Sequence, residues 1–427
     1  MKKLVSMLLA ATMLCGMAVG LAACTPRDEV LRIATWEAYT DKKHVQNEFP
    51  KFYEQATGKK VSVKISTFQS NEELYEKMTT KGVDYDAICP SDYMVQRLIK
   101  ESRLVALDKN VIKETVGKDY DELIDEKILD MTAEYEGNEN NEYTLPYAWG
   151  TMGILYNPER GAKAEDTASW NVLWNLKPDG KTDAGYLKKI WMKDSERDAF
   201  ATANLFNNAG KLSEKSGGFE NYDNEEYQTL LKEMFSRADD EILGEAKAAL
   251  INQRKVFYKY EEEQGKESLA RNKNEAWLGL MWSCDAGYAM QKNPALRYSI
   301  PREGSNVYVD NFAIPKTAAN SEMAQYFMAF LLTEGAAYAN TMASGSSGVV
   351  KAANAKILAD LNAGTGDGAF MAGASAEFKD NYINTVIFPN ADILKRCATM
   401  QHYPTVDGKD GNAEVAKMFS SVKSARL

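Results

Sequence analysis

Histidine is scarce: His44 and His402 are the only two in 427 residues. Imidazoles so few and so far apart argue against a His-rich metal centre and against several independent His-based catalytic groups. One Ser-His-Asp set remains arithmetically open, but no Gly-x-Ser-x-Gly elbow supports it. Cysteine is also sparse, at five residues. Cys89, Cys284 and Cys397 cannot all pair, and their wide spacing matches no zinc pattern, so they read as small buried thiols. Positive charge is in deficit, with 51 Lys and Arg against 61 Asp and Glu. That disfavours nucleic acid as a partner, since its binding relies on clustered Lys and Arg. An acidic surface is compatible with a cationic ligand without requiring one. No internal repeat is detected.

The chain has one notable apolar run, at its start. Lys2 and Lys3 precede about 16 mostly apolar residues, which end in Leu21-Ala22-Ala23-Cys24. A membrane span would need ~20 apolar residues without such a small-residue exit. The segment reads as a secretory signal, and its last four residues resemble a bacterial lipobox. That resemblance implies acylation of Cys24, removal of residues 1–23, and an extracytoplasmic protein tethered to the membrane by lipid. Loss of the signal leaves 404 residues, 49 basic and 61 acidic, a net charge of −12. A chain of that length suits two lobes better than one core. Residues 24–29 form the tether.

Beyond the tether, Val30 to Ala34 reads as a short buried strand and 42–57 as an amphipathic helix stopped by Gly58. Val61 to Ile65 alternates like a half-buried strand. A helix over 71–81, a strand over 85–89 and a helix from Asp92 follow. Strand–helix alternation predicts an α/β lobe with a mostly parallel sheet. Ligand-contacting residues then belong on loops at the carboxyl ends of the strands, here Trp36 to Tyr39 and Ser91 to Tyr93. Extended segments are expected over 143–147, 152–157, 276–282 and 307–315. Helical spacing covers 225–260 and 321–334. The charges of Lys259-Tyr260-Glu261-Glu262-Glu263 suggest a solvated face. The final stretch, from about residue 351, is partly low in complexity.

Seven landmarks occur in order along this chain: Thr35-Trp36-Glu37-Ala38-Tyr39, Ser70-Asn71-Glu72, Tyr85 to Tyr93, Leu145 to Gly150, Ser169-Trp170 with Leu173-Trp174, Met281 to Ala286, and Asp310 to Pro315. Together they resemble the bacterial polyamine-binding proteins, the spermidine/putrescine receptors of ATP-driven importers. The resemblance runs from about residue 30 to 350 and implies a periplasmic-binding-protein type II fold: two α/β lobes, two hinge crossings and a cleft between them. The lobes would comprise 30–145 plus 311–350 and 146–310 plus 351–427. It implies no enzyme activity and no cofactor or resident metal. Its partners would be a polyamine and a membrane permease, with the receptor itself a monomer.

Matching motif by motif, the resemblance puts Trp36, Tyr39, Ser91, Tyr93, Asp198, Trp282, Asp285, Tyr308 and Asp310 at the ligand, with Glu37 beside them. The chemistry fits such a ligand: carboxylates meet ammonium groups and aromatic walls enclose the methylenes. The chain also departs from the pattern. Ala38 stands where the family has an acid, Ser195 replaces a second-lobe aspartate, and a tyrosine is replaced near Ser346. With Asp285, these changes lean the site toward a shorter diamine such as putrescine. Rival readings are a same-fold receptor for a sugar and a lipid-anchored hydrolase using two carboxylates. Two inward carboxylates without a compensating Arg would favour a cation. Ferric-ion receptors of this kind use adjacent tyrosines, and the chain has no Tyr-Tyr pair.

Overall fold

The computed structural model describes residues 29–261 and 264–427. Cys24 and the signal segment lie outside the described residues. Among these, no helix is long and apolar enough to cross a membrane.

The first lobe is built on a parallel sheet. Strand β1 (Val30–Trp36) is central, flanked by β2 (Ser62–Phe68) and β3 (Ala87–Ile88). Parallel neighbours require crossovers, and helices supply them. The first crossover, Lys42–Thr57, starts at Asp41, whose side chain accepts from the His44 amide, and stops at Gly58 with φ 74°. Its Val45, Phe49 and Tyr53 are buried one turn apart. Phe49 meets Phe327 and Phe330 of the helix Ser321–Leu331 at ring distances of 5.4 and 5.6 Å. This late helix thus returns to the first lobe, where one hydrophobic core spans residues from Leu31 to Ala353. A short antiparallel pair, β4 (Leu104–Val105) with β11 (Ile314–Pro315), adds to it.

The segments expected separately over 143–147 and 152–157 form one strand, β5 (Leu145–Tyr156), buried along all twelve residues. Burial on both faces removes the alternation that would reveal such a strand. Its first half pairs antiparallel with β10 (Ser305–Phe312), its second half with β8 (Leu278–Trp282) and β9 (Arg297–Ser299). The sheet continues through β6 (Ile190–Lys193) to β7 (Lys259–Glu261), both parallel to their neighbours. The outer flank carries β13 (Cys397–Ala398), and β12 (Ser347–Gly348) also pairs with β5. The second sheet is therefore mixed.

The helical stretch 225–260 divides into Glu225–Ser236, Asp240–Gln253 and β7, with Asp239 capping the second helix. The solvated-face reading fails at Glu261, which is 2% exposed and lies opposite Lys193 in the sheet register. A charge run hides one inward residue when its partner lies 68 positions away. Likewise, 321–334 is two helices, Ser321–Leu331 and Glu334–Ser344. The low-complexity tail is ordered, with helices over Lys351–Ala363, Ala376–Asn381 and Gly411–Ser424.

Candidate functional site

Trp36 ends β1, Ser91 follows β3, and Lys193, Glu261 and Trp282 end β6, β7 and β8. All are carboxyl ends of strands, where ligands are held in open α/β sheets. The candidate site is built from the turns that follow them.

After Trp36 the chain turns through exposed Glu37 and Ala38, the latter with φ 53°, and brings Tyr39 inward. Left-handed backbone at a non-glycine residue is uncommon and is often found where function constrains the chain. The Tyr39 hydroxyl donates to Asp310 Oδ2. Asp310 lies on β10 at a register shift against β5: it faces Ala148, whereas Asn311 faces Pro146, so Tyr147 is the extra residue. Bulges of this kind re-aim side chains beside functional sites. The Tyr147 hydroxyl donates to the Tyr39 carbonyl at 3.0 Å, which fixes the turn. Asp310 is 5% exposed, and its Oδ1 has no hydrogen-bond partner. Burial raises its pKa to about 6 despite the opposing pull of Ser91 and Tyr39. A buried carboxylate oxygen left without a donor is unfavourable, and a cationic ligand would satisfy it.

Ser91 lies opposite Asp310 in an antiparallel bridge, and its amide donates to Asn71 Oδ1 at 3.0 Å. Asn71 also donates to the Tyr93 hydroxyl at 3.1 Å, and that hydroxyl donates to Glu72 Oε1. Tyr308 sits over Gly150, its partner across the β5–β10 pairing. An added Cβ there would collide with Ser283 Oγ and lie 2.5 Å from the Tyr308 hydroxyl. Glycine at 150 thus gives Tyr308 its place.

In the second lobe, Trp282 Nε1 donates to Asp198 Oδ2 at 3.0 Å. Burial raises the Asp198 pKa, with Ser195, Lys193 and Trp282 opposing. Asp285 is held differently: Lys193 and Lys266 each reach one of its oxygens at 2.7 Å. Burial would raise its pKa, but the two ammonium charges outweigh it and keep the carboxyl below its ordinary value. Lys193 also pairs with Glu261 at 3.1 Å and stands 4.1 Å above the Trp282 ring. Glu261 itself is lifted to about 7 by burial, against the pull of Lys193.

The lobes meet. Arg197, on the second-lobe helix Glu196–Asn207, lies 3.8 Å over the Tyr93 ring of the first lobe. It also donates to Asn412 and to the Gln401 carbonyl, with Tyr403 4.2 Å below. A crevice beside this contact is lined by Glu72, Tyr93 and Arg97 on one side and by Glu196, His402 and Asp410 on the other.

The structure therefore brings Tyr39, Ser91 and Asp310 together, and separately Asp198 and Trp282. Tyr93 and Tyr308 flank them. Trp36 packs on Phe68 at 4.6 Å and is only partly buried. Glu37 is directed to the surface, where it pairs with Lys42 at 2.9 Å. Sequence reading missed Lys193, Glu261, Lys266 and Arg197. The one available signal was the placement of Lys193 and Arg197 around Asp194-Ser195-Glu196 just after an apolar strand. Among the described residues no group of three His, Cys, Asp or Glu is arranged to hold a metal, and Cys89, Cys284 and Cys397 are free thiols.

The profile of the bacterial extracellular solute-binding protein family matches residues 50–376, more than three-quarters of the chain. The chain belongs to that family. This solute-binding protein is 27% identical over 332 residues to spermidine/putrescine-binding periplasmic protein 1 of Haemophilus influenzae, covering 76% of each chain. It is 26% identical over 327 residues to the putrescine-binding periplasmic protein PotF of Escherichia coli, covering 74% of this chain and 76% of the relative. Among solved structures, a putative spermidine/putrescine ABC transporter protein from Listeria monocytogenes superimposes with a TM-score of 0.67 at 22% identity, covering 93% of this chain and all of that one. The Streptococcus pneumoniae spermidine/putrescine ABC transporter substrate-binding protein gives 0.62 at 24% identity, covering 92% and 98%. These likenesses establish the two-lobed type II fold.

Proposed function

We propose that this protein captures a polyamine in the cleft between its lobes and delivers it to the permease of an ATP-driven importer, making and breaking no bond. The observation that carries the reading is Asp310, a buried carboxylate with one oxygen unpartnered, set among Tyr39, Ser91 and Tyr308. Asp198 on the opposite lobe is a second carboxylate, already oriented by Trp282. Two carboxylates among aromatic side chains suit an alkyl chain with an ammonium at each end. The Arg197 guanidinium does not ion-pair with either carboxylate; its hydrogen bonds go to Asn412 and Gln401. Names of the relatives that the chain matches over most of its length point the same way.

Contacts from both lobes can be made at once only when they are closed, so ligand binding would favour closure by bending at β5 and β10. The receptor would act as a monomer, held to the outer side of the cytoplasmic membrane by acylated Cys24. Isothermal titration with putrescine, spermidine, spermine and a neutral sugar tests the reading. Heat is expected with at least one amine and not with the sugar; absence of heat with every amine overturns it.

A further inference from the structure

Next to Ser91 lies a buried acid that the proposed capture does not use. Asp92 opens the helix Asp92–Lys100, which packs on β10, and it is 1% exposed. Its Oδ1 accepts from the Tyr93 amide at 2.7 Å. The turn is tied to β10 twice: Ser91 bridges Asp310, and the Asn311 amide donates to the Pro90 carbonyl at 2.9 Å. Tyr135, from the segment before β5, is a neighbour of Asp92, Asn311 and Asp310. Tyr135 and Asn311 are as buried as Asp92.

Three atoms of this cluster have no hydrogen-bond partner among the described residues: Asp92 Oδ2, Asn311 Oδ1 and the Tyr135 hydroxyl. With Asp92 ionised, one donor, the Tyr135 hydroxyl, serves two acceptors. A proton on Asp92 supplies the missing donor and removes a second buried negative charge from beside Asp310. Burial accordingly lifts the Asp92 pKa to about 8; Asp310 adds to the rise, while the Tyr93 amide, Arg197 and the Val309 amide oppose it. Arg197 is the cation of that set. It belongs to the second lobe and lies 3.8 Å over the Tyr93 ring.

We propose that Asp92 carries a proton in the unliganded receptor and gives it up to solvent when a ligand ammonium reaches Asp310 and Arg197 closes over Tyr93, so that capture of a polyamine is coupled to release of a proton. Both arriving charges are positive, and a nearby cation strengthens a carboxylic acid. Linkage is reciprocal: a ligand that expels the proton binds more tightly once the proton has gone. This rests on the polyamine reading above and adds a released proton to it.

Isothermal titration with putrescine at pH 8, replaced by spermidine if only that binds, counts the protons when run in two buffers of different ionisation heat. Primary amines are protonated at that pH. Asp310, with its pKa at about 6, is already ionised, and Glu261, at about 7, is mostly so. If binding makes Asp92 ten times more acidic, about 0.4 proton leaves per ligand, and affinity rises about fivefold from pH 7 to 9. Asp92→Asn keeps the shape of the protonated acid and should bind the amine with no proton released and no such rise. Equal release from both proteins overturns the assignment to Asp92. Binding without any release from the unaltered protein overturns the coupling, and the polyamine reading stands in either case. If the unaltered protein binds no amine, both fall. Should the variant not fold, the unaltered protein decides alone: a several-fold rise in affinity between pH 7 and 9 supports the inference, and a level profile overturns it.

Discussion

Tyr39 and Asp310, 271 residues apart, share a buried hydrogen bond in which the phenol donates to Oδ2 and leaves Oδ1 without a partner. The bond joins the turn after β1 to the bulged strand β10, and the free oxygen is where the proposed ligand ammonium would bind. Asp310→Asn keeps the shape and removes the charge. Putrescine affinity should fall about 10- to 100-fold, the range of a charge-assisted hydrogen bond. Calorimetric titration reads the loss, and thermal unfolding of the ligand-free variant should be no worse than that of the unaltered protein.

The same carboxyl sets a pH dependence. With its pKa lifted to about 6 by burial, Asp310 is ionised above pH 7 and gains a proton as pH falls through 6. An ammonium ligand binds the ionised form, so affinity should be highest above pH 7 and decline by up to about tenfold per unit below 6. Titrations from pH 5 to 8 would show this, and Asp310→Asn should flatten the decline.

Asp92, between Ser91 and Tyr93, offers a stability test on the ligand-free protein. It is 1% exposed, its Oδ1 accepts from the Tyr93 amide, and Oδ2 has no partner. Burial raises its pKa to about 8. A folded pKa above the unfolded one means that stability falls as pH rises between them, here from about 4 to 8. Asp92→Asn removes this slope, so the variant should gain relative stability as pH rises, reaching at least ~1 kcal/mol at pH 8. Urea unfolding at pH 5 and pH 8 measures the difference.

Gly150→Ala is expected to be costly despite its small size. The new methyl would collide with Ser283 Oγ and crowd Tyr308. Overpacking of this kind costs ~1–3 kcal/mol. Thermal melts should show the destabilisation, and ligand affinity should drop because Tyr308 must move.

Arg197 tests the contact between lobes. Arg197→Met keeps the stem but loses the hydrogen bonds to Asn412 and Gln401 and the cation over Tyr93. Ligand-bound variant protein should be more open, seen as a larger radius of gyration in solution scattering, and ligand should dissociate several-fold faster.

Local patterns carried the first lobe. Val45, Phe49 and Tyr53 repeat at helical spacing, Asp41 and Gly58 bound that helix, and β1 and β3 read as short apolar runs. The same reading failed on β5, where burial on both faces erased the alternation, and on Glu261, where a sequence of like charges concealed an inward side chain. Tyr39 and Asp310 were legible as site candidates because each follows or lies in a strand with recognisable neighbours. Glu37 was equally legible by position, yet the turn at Ala38 directs it to Lys42 at the surface.

What the chain alone determined is its class: an α/β protein of two lobes, with a signal-like start, few histidines, and aromatic and acidic residues at strand ends. These follow from composition and spacing, which act over a few residues. Which acids face a ligand and which face a lysine was decided only by the fold. Asp198, Asp285 and Asp310 look alike in sequence, but Lys193 and Lys266 arrive at Asp285 from strand and helix 92 and 19 residues away. Charge pairing in a low-dielectric interior depends on distance in space, and no local pattern encodes it.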